Sequence, residues 1–404
     1  MNHQWREGNQ VELLINGEDF FTRVFERVRA ARHEVLIETF IIFEDRVGQQ
    51  LQRELIAAAE RGVRIELTVD GYGTADLSGE FVAAMVQAGI NVHLFDPSPK
   101  RLGMRLNLFR RLHRKVVVVD GEWALIGGIN YSADHLTDSG ATSKQDYAVE
   151  VRGPVVADIH HSSFSVLRPA QLQRSQLQPV VRHVGQVRML LAVRDNNRHT
   201  TDIEQEYLRA IRSATTRIVL ANAYFFPGYR LLREIRNAAR RGVKVTLILQ
   251  GQADMPWVRG FSRLLYNYLL RDGVVIQEYC QRHLHGKVAL IDSEWSTVGS
   301  SNLDPLSLAL NLEANLIIRD SAFNQGLYEH LSSLASEHCK RISQERIIRG
   351  YWWRAPLIFL CFHFLRRVPA IAGWLPAHAP NLQSFTPGNI EESENSCFQS
   401  GKVP

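Results

Sequence analysis

The stretch LHRKVVVVDGEWALIGGIN, residues 112–130, returns 172 residues later as LHGKVALIDSEWSTVGSSN, residues 284–302. His113, Lys115, Asp120, Trp123, Gly127 and Asn130 meet His285, Lys287, Asp292, Trp295, Gly299 and Asn302 at identical internal spacing. Special residue types kept in step over such a stretch make the chain an internal duplication. Upstream, ERGVRIELTVDG at 60–71 matches RRGVKVTLILQG at 240–251. That pair lies 180 residues apart, so the first copy carries a longer insert between this strand and its motif.

Each copy alternates helix and strand. In the first, residues 47–61 read as a helix with Leu51, Leu55, Ile56 and Ala59 on its apolar face, and 63–69 read as a strand. Ser78 is placed to cap a second helix that ends near Gly89, and 91–95 form the next strand. In the second copy, 228–241 and 257–272 read as helical, 243–249 and 274–279 as extended. Such alternation predicts an α/β chain of two similar lobes, each a mixed sheet flanked by helices. The boundaries fall at 1–167 for the first lobe, 168–186 for a Gln- and Pro-bearing linker and 187–345 for the second lobe. Beyond them lie a basic, aromatic segment, 346–376, and a polar tail, 377–404, expected to be disordered.

Within the motif, His113 and Lys115 are two apart at the head of the apolar run Val116–Val119, so strand alternation sets both on one face. Asp120 is an odd number of residues from both and faces the other way, before a Gly121-Glu122 turn, which suits a structural role. The return strand ends at Gly127-Gly128, where small residues let the backbone approach a ligand, and Asn130 follows with its amide. A lysine and an asparagine can hydrogen-bond non-bridging phosphate oxygens and stabilise developing charge. A histidine near neutral pH can act as nucleophile or as general acid, and two copies supply one for each role. A carboxylate is needed to set each imidazole's tautomer. Candidates lie on the strand after each motif, Asp146 for the first copy and Glu313 for the second, 33 and 28 residues after their respective histidines.

The formal net charge of +5 conceals two basic segments. Residues 100–115 carry seven Lys or Arg and no acid; residues 340–375 carry seven against Glu345 alone. Both also hold large apolar side chains. The run YWWRAPLIFLCFHFLRRVPAIAGWL, 351–375, is too short in its apolar part for a membrane span but suits an interfacial element with Trp and Arg flanks. Clustered arginines there would be drawn to anionic lipid. No nucleic-acid motif accompanies either basic segment, so nucleic acid is not the expected partner. Trp257, Phe261, Leu264 and Leu265 offer a second apolar wall or a piece of core.

Four cysteines without C-x-x-C spacing argue against a disulfide framework and fit a reducing, cytosol-facing compartment. The N-terminus lacks the pattern of a signal peptide. His283 and His285 form an H-x-H pair with no third ligand at suitable spacing, so no metal and no cofactor is expected. His160-His161 reads as part of a surface helix, and Cys280 as a buried thiol.

The doubled H-x-K-x-x-x-x-D, each followed by G-[GS]-x-N, resembles the phospholipase D superfamily over nearly all of residues 10–340. Within it, IETFIIFED at 37–45, ANAYFFP at 221–227 and SSNLDPLS at 300–307 are most similar to bacterial cardiolipin synthases of the type without N-terminal transmembrane helices. The resemblance implies two lobes related by a pseudo-twofold axis with one shared active site. It carries a catalytic status onto His113, Lys115, Asp120, His285, Lys287 and Asp292, and phosphate binding onto Asn130, Ser300 and Asn302. Since Gly128 stands where the second copy has Ser300, a hydroxyl contact to phosphate would come from the second lobe alone. By analogy His113 is the nucleophile and His285 the acid and base, although the symmetry leaves the reverse open.

The implied reaction moves a phosphatidyl group from phosphatidylglycerol to a second phospholipid through a phosphohistidine, releasing glycerol. It needs no metal, because lysines and amides supply the positive field. The implied setting is the cytoplasmic side of a bacterial inner membrane, held peripherally by anionic phospholipid. The same chemistry with water as acceptor would make a phospholipase. A nucleic-acid donor would make a nuclease with steep salt dependence, and a membrane scaffold is a third class.

Overall fold

Both motifs are β-hairpins whose turns are anchored by the aspartate that ends each H-x-K-x-x-x-x-D. In the computed structural model, which describes residues 4–97, 110–167, 177–251, 265–343 and 381–387 with Pro356 and Leu360, Asp120 and Gly121 both have positive φ, 52° and 60°. That is the backbone a tight right-twisted hairpin requires. The Asp120 carboxylate accepts from the backbone N–H of Arg32, His33 and Glu34 at 2.8–2.9 Å. Asp292, φ 51°, does the same for Thr215, Thr216 and Arg217 at 2.7–3.1 Å. Each aspartate thereby ties its hairpin to the loop that opens a neighbouring strand. The catalytic status suggested for Asp120 and Asp292 is thus corrected: side-chain alternation sends them to the far end of the strand from the histidines.

The first half of the chain supplies β1 (Arg6–Ile15), β2 (Glu34–Thr39), β3 (Arg64–Asp70), β4 (Asn91–Phe95), β5 (Val116–Val119), β6 (Trp123–Gly127), β7 (Lys144–Gln145) and β8 (Tyr147–Arg152). The second supplies β9 (Val187–Arg194), β10 (Arg217–Asn222), β11 (Lys244–Gln250), β12 (Val275–Tyr279), β13 (His283–Leu284), β14 (Lys287–Ile291), β15 (Trp295–Gly299), β16 (Glu313–Arg319) and β17 (Cys339–Arg341), with β18 (Leu382–Phe385) near the C-terminus. Except for β7 and β13, these strands form one sixteen-stranded mixed sheet, ordered 17-12-11-10-14-15-16-9-1-8-6-5-2-3-4-18. Read outward from the β1/β9 junction the two halves have the same order, so the duplication is a pseudo-twofold of the sheet itself.

Helices α1 (Asn16–Ala30), α2 (Arg46–Glu60) and α3 (Gly79–Gln87) cover one face of the first half. α2 starts at Asp45, whose carboxylate accepts from Val47 N–H at 2.9 Å, and it buries Val47, Leu51, Leu55 and Ala58. Ser78 caps α3 through Phe81 N–H at 3.1 Å, as its sequence predicts. α5 (Asp202–Ser213) and α6 (Tyr229–Arg240) cover the second half. The opposite sheet face is common to both halves. There α4 (Val155–Val166) and α7 (Ser321–His338) pack Val155, Ile159, Leu327 and Leu331 against strands of both copies.

Three local expectations are corrected. The tail beyond residue 377 is not wholly disordered, because β18 pairs antiparallel with β4, and Ser384 Oγ lies 2.8 Å from His93 Nδ1. His160 is buried, its Nε2 2.7 Å from Glu34, because α4 turns this side toward the sheet. Cys280, just past the end of β12, is exposed. The described part of the linker is pinned to the first half, with Val184 N–H donating to Gly8 O and Val180 N–H to Gly121 O. Leu265 is core, whereas Trp257, Phe261 and Leu264 lie outside the described residues. So do residues 100–109 of the first basic segment and almost all of 346–376. Among the described residues no helix is long and apolar enough to cross a membrane.

Removing the Asp292 charge tests the anchoring role. Burial alone would raise this carboxyl, but the amides of Thr216, Arg217 and Thr215 and the Thr216 hydroxyl override it and hold it down at about 2. A depressed folded-state value means stabilisation present above the ordinary carboxyl range and lost as pH falls toward 2. Asp292→Asn is expected to cost about 1–2 kcal/mol in urea unfolding at pH 7, since the amides of Thr215, Thr216 and Arg217 lose an ionic acceptor. The deficit should shrink on acidification. The variant's kcat should fall less than about tenfold, a loss of positioning rather than of a reacting group.

Candidate active site

Each motif histidine precedes its hairpin by a short extended segment, and that segment pairs across the two halves. Leu112 forms a parallel bridge with Leu312, with His113 N–H on Leu312 O at 3.0 Å and Leu312 N–H on Arg111 O at 2.8 Å. Symmetrically, β13 pairs parallel with β7, and His285 N–H donates to Gln145 O at 2.8 Å. In both bridges the next residue along is a histidine on one strand and a carboxylate on the other. His113 Nδ1 therefore meets Glu313, 2.9 and 3.1 Å from its two oxygens, and His285 Nδ1 meets Asp146 at 2.6 Å.

The pairing is crosswise, which corrects the assignment of Asp146 to His113 and of Glu313 to His285. A carboxylate on the strand following its own motif runs beside that hairpin, but its strand start faces the other lobe. With Nδ1–H committed to a carboxylate, each imidazole keeps Nε2 for chemistry. Glu313 and Asp146 are both fully buried.

Lys115 and Lys287 are also buried, and each donates to the carbonyl oxygen of its own motif histidine, Lys115 at 2.7 Å. Burial pushes the Lys115 ammonium down to about 7 and Lys287 to about 8, although Glu313 and Asp146 act in the opposite direction. Both histidines are lowered. Burial is the main cause at each, relieved in part at His113 by Glu313 and reinforced at His285 by Lys287. Lys287 also lowers His113 and Lys115 lowers His285, so the two motifs share one electrostatic field. The Phe40 ring closes one side, its centroid 5.1 Å from the His113 ring and 5.3 Å from Lys115 Nζ.

The motif asparagines are buried at the hairpin ends. Asn130 Oδ1 accepts from Ile41 N–H at 3.3 Å, and Asn302 Oδ1 has no hydrogen-bond partner among the described residues. Ser300 is corrected: its hydroxyl donates to Glu313 and accepts from Ala314 N–H at 3.1 Å, so it is spent on holding the carboxylate rather than aimed at a phosphate.

Three groups escaped the sequence reading. Asp70 ends β3 and accepts from Leu112 N–H at 2.8 Å while pairing with Arg111 at 2.8 Å; Gln250, at the same point of the repeat, accepts from Leu284 N–H at 2.9 Å and lies 3.1 Å from His283 Nδ1. The signal was available, because both end a matched buried strand with a polar residue. Phe40 lay within IETFIIFED without a role. His135 is the third, fully buried beside Asp146 and His285, and it has Ser307 at the equivalent repeat position, so periodicity could not flag it.

His135, Asp146 and His285 place three ligand-type atoms within 4.8 Å. The donor set does not fit a metal ion. Asn130 N–H donates to His135 Nε2 at 3.3 Å, which leaves the proton on Nδ1, the atom facing Asp146. A protonated nitrogen cannot be a ligand. His285 Nδ1 and Asp146, 2.6 Å apart, are already joined through a proton.

A family model described as cardiolipin synthase, PLD-like domain, matches residues 24–167 and 207–335. The chain belongs to this family. Cardiolipin synthase B of Salmonella typhi is 51% identical over 395 residues, 96% of each chain, and cardiolipin synthase B of Escherichia coli K12 is 49% identical over 393 residues, 96% of this chain and 95% of that one. In fold, the chain is similar to the crystal structure of phosphatidylserine synthase from Haemophilus influenzae, with a TM-score of 0.66, 14% identity and coverage of 88% and 95%.

The crosswise pairing has a kinetic signature. Glu313→Gln and Asp146→Asn should each lower kcat by about 10²–10⁴, the range for a disabled acid–base group. In double mutants, Glu313→Gln should add little to His113→Ala, and Asp146→Asn little to His285→Ala, since coupled residues are not additive. The converse couplings would restore pairing within each lobe.

Proposed function

We propose that this cardiolipin synthase family member is a phosphatidyltransferase that makes cardiolipin from two phosphatidylglycerol molecules. The observation that carries the reading is the pair of half-buried histidines, each fixed at Nδ1 by a fully buried carboxylate of the other half. The near full-length identity to proteins named cardiolipin synthase B supports the substrate.

The assignment has His113 Nε2 attack phosphorus, forming an N–P bond. The P–O bond to the headgroup glycerol breaks, and that oxygen takes a proton from His285. The headgroup hydroxyl of a second phosphatidylglycerol then gives its proton to His285 and attacks phosphorus, and the N–P bond breaks. Cardiolipin and glycerol leave, and both histidines return to their starting states. One phosphodiester replaces another, so the exchange needs no nucleotide. Lys115 and Lys287 are assigned to the non-bridging oxygens, whose charge grows in the transition state, with the amides of Asn130 and Asn302 beside them. Because a hydrolase differs only in the acceptor, exclusion of water from the phosphohistidine favours transfer. Contact with an anionic membrane surface on its cytoplasmic side, through the basic segments 100–115 and 346–376, is part of the proposal.

The deciding experiment is mass spectrometry of lipids after incubation with phosphatidylglycerol vesicles, run with His113→Ala and His285→Ala. Cardiolipin with glycerol from the unaltered protein alone is the expected result. Phosphatidic acid alone would make the protein a hydrolase, and turnover of nucleic acid in place of lipid would make it a nuclease.

The lysines set the pH response. Their charge is needed on the substrate oxygens and is lost as pH rises through the values near 7 and 8 at which Lys115 and Lys287 give up their protons. Since kcat/KM reports groups of the free enzyme, it should fall across that window. The fall in kcat should come at higher pH, because a bound phosphodiester anion favours the ammonium forms. A kcat/KM profile flat to pH 10 would remove both lysines from phosphate binding.

A further inference from the structure

The two carboxylates are held differently. Glu313 takes its second side-chain donor from the Ser300 hydroxyl. In the first half Gly128 stands at that position, and a Cβ there would lie 2.4 Å from Asp146 Oδ1, so no serine can fit. Asp146 Oδ1 instead accepts from Tyr147 N–H at 2.8 Å, leaving Oδ2 to His285. The atom that faces Oδ2 from the other side is His135 Nδ1, at 3.7 Å.

His135 closes a short 3₁₀ turn, Ala133–His135, and the equivalent Ser307 lies within the short helix Pro305–Ala309. Its ring is fully buried and stands edge-on to His285, centroids 5.5 Å apart. Asn130 N–H donates to Nε2, so the neutral ring carries its hydrogen on Nδ1, and Nδ1 has no hydrogen-bond partner among the described residues. At 3.7 Å its approach to Asp146 is an ion–dipole contact rather than a hydrogen bond. Burial lowers the His135 pKa well below the usual range, which keeps the ring neutral and a single donor at working pH.

We propose that His135 is a positioning residue for His285: it replaces, from a different point of the fold, the hydroxyl that Ser300 provides to Glu313, and it ties Asp146 to the backbone of Asn130. A donor against Oδ2 tempers the carboxylate's basicity and blocks rotation of the His285 ring. The proton that His285 must take and return is thereby kept on imidazole Nε2, in register with the substrate oxygen. The inference rests on the acid–base role assigned to His285 above.

The test uses the full chain with His135→Asn, His135→Gln and His135→Leu. Asparagine places an N–H where Nδ1 is and keeps the donor toward Asp146. Glutamine reaches the Nε2 position and keeps the acceptor for Asn130 N–H, and leucine keeps only volume. Each variant is assayed on phosphatidylglycerol vesicles and on bis(4-nitrophenyl) phosphate, with thermal midpoints recorded. His135→Asn should retain kcat within about fivefold, while Gln and Leu should lose about 10–100-fold in kcat with little change in KM, the scale of a lost supporting hydrogen bond to an active-site group. The pKa seen in the kcat profile of the Gln variant should rise by about half a unit or more, because an untempered carboxylate favours the protonated imidazole. Equal kcat for Asn and Gln, or losses confined to the thermal midpoint with an unmoved pH profile, would overturn the proposal. The soluble diester separates the two readings: if it shows the same variant pattern while the unaltered protein leaves phosphatidylglycerol intact, the lipid assignment fails and the role of His135 stands.

Discussion

Everything at this site depends on two hydrogen bonds that cross between the halves of the chain, Glu313 to His113 and Asp146 to His285. Neither half can build a competent imidazole alone. The parallel bridges Leu112/Leu312 and β13/β7 fix the crossing to within one residue. A one-residue slip in an extended pair sends a side chain to the opposite face, so the register of these short bridges decides whether a histidine meets a carboxylate at all. The shared sheet, continuous through β1 and β9, and the common core under α4 and α7 hold that register.

The copies have diverged where the site tolerates it. Arg111 and Asp70 form a buried ion pair, and the second half replaces them with His283 and Gln250, yet the acceptor for the leucine N–H before each histidine is kept. Arg114, between His113 and Lys115, pairs with buried Glu38 on the other strand face. Its counterpart Gly286 has no room for a side chain, since a Cβ there would meet the Tyr147 ring at 2.6 Å. The variable position of H-x-K is thus set by what lies beneath the strand rather than by the chemistry above it. An asymmetric substrate pair, one donor and one acceptor, is a natural use for two sites that share parts but differ in their supports.

Much of this was legible in the residues. The helices and strands of each copy that fall within the described residues, the Ser78 cap and the structural bearing of Asp120 followed from periodicity, capping chemistry and strand alternation, because these are local rules, whereas residues 257–264 of the helix expected over 257–272 lie outside the described residues. What failed was longer in range. Chain order sets each carboxylate on the strand after its own motif, but sequence distance does not say which lobe a strand start faces. The resemblance implies phosphate binding by Ser300, but a hydroxyl beside a motif suits either use, and only its burial against Glu313 separates them. The β18 strand escaped because four edge residues in a polar tail carry too little pattern to rise above their surroundings.

The sequence by itself determined the duplication, the mixed α/β lobes, the two histidine–lysine pairs and the family, since each is written as spacing within one copy. The tertiary structure alone decided which carboxylate serves which histidine, which backbone amides Asp120 and Asp292 hold, and that His135 stands behind Asp146. The physical reason is that a tautomer is set by a partner within about 3 Å in space, and for His113 and His285 that partner lies 200 and 139 residues away along the chain.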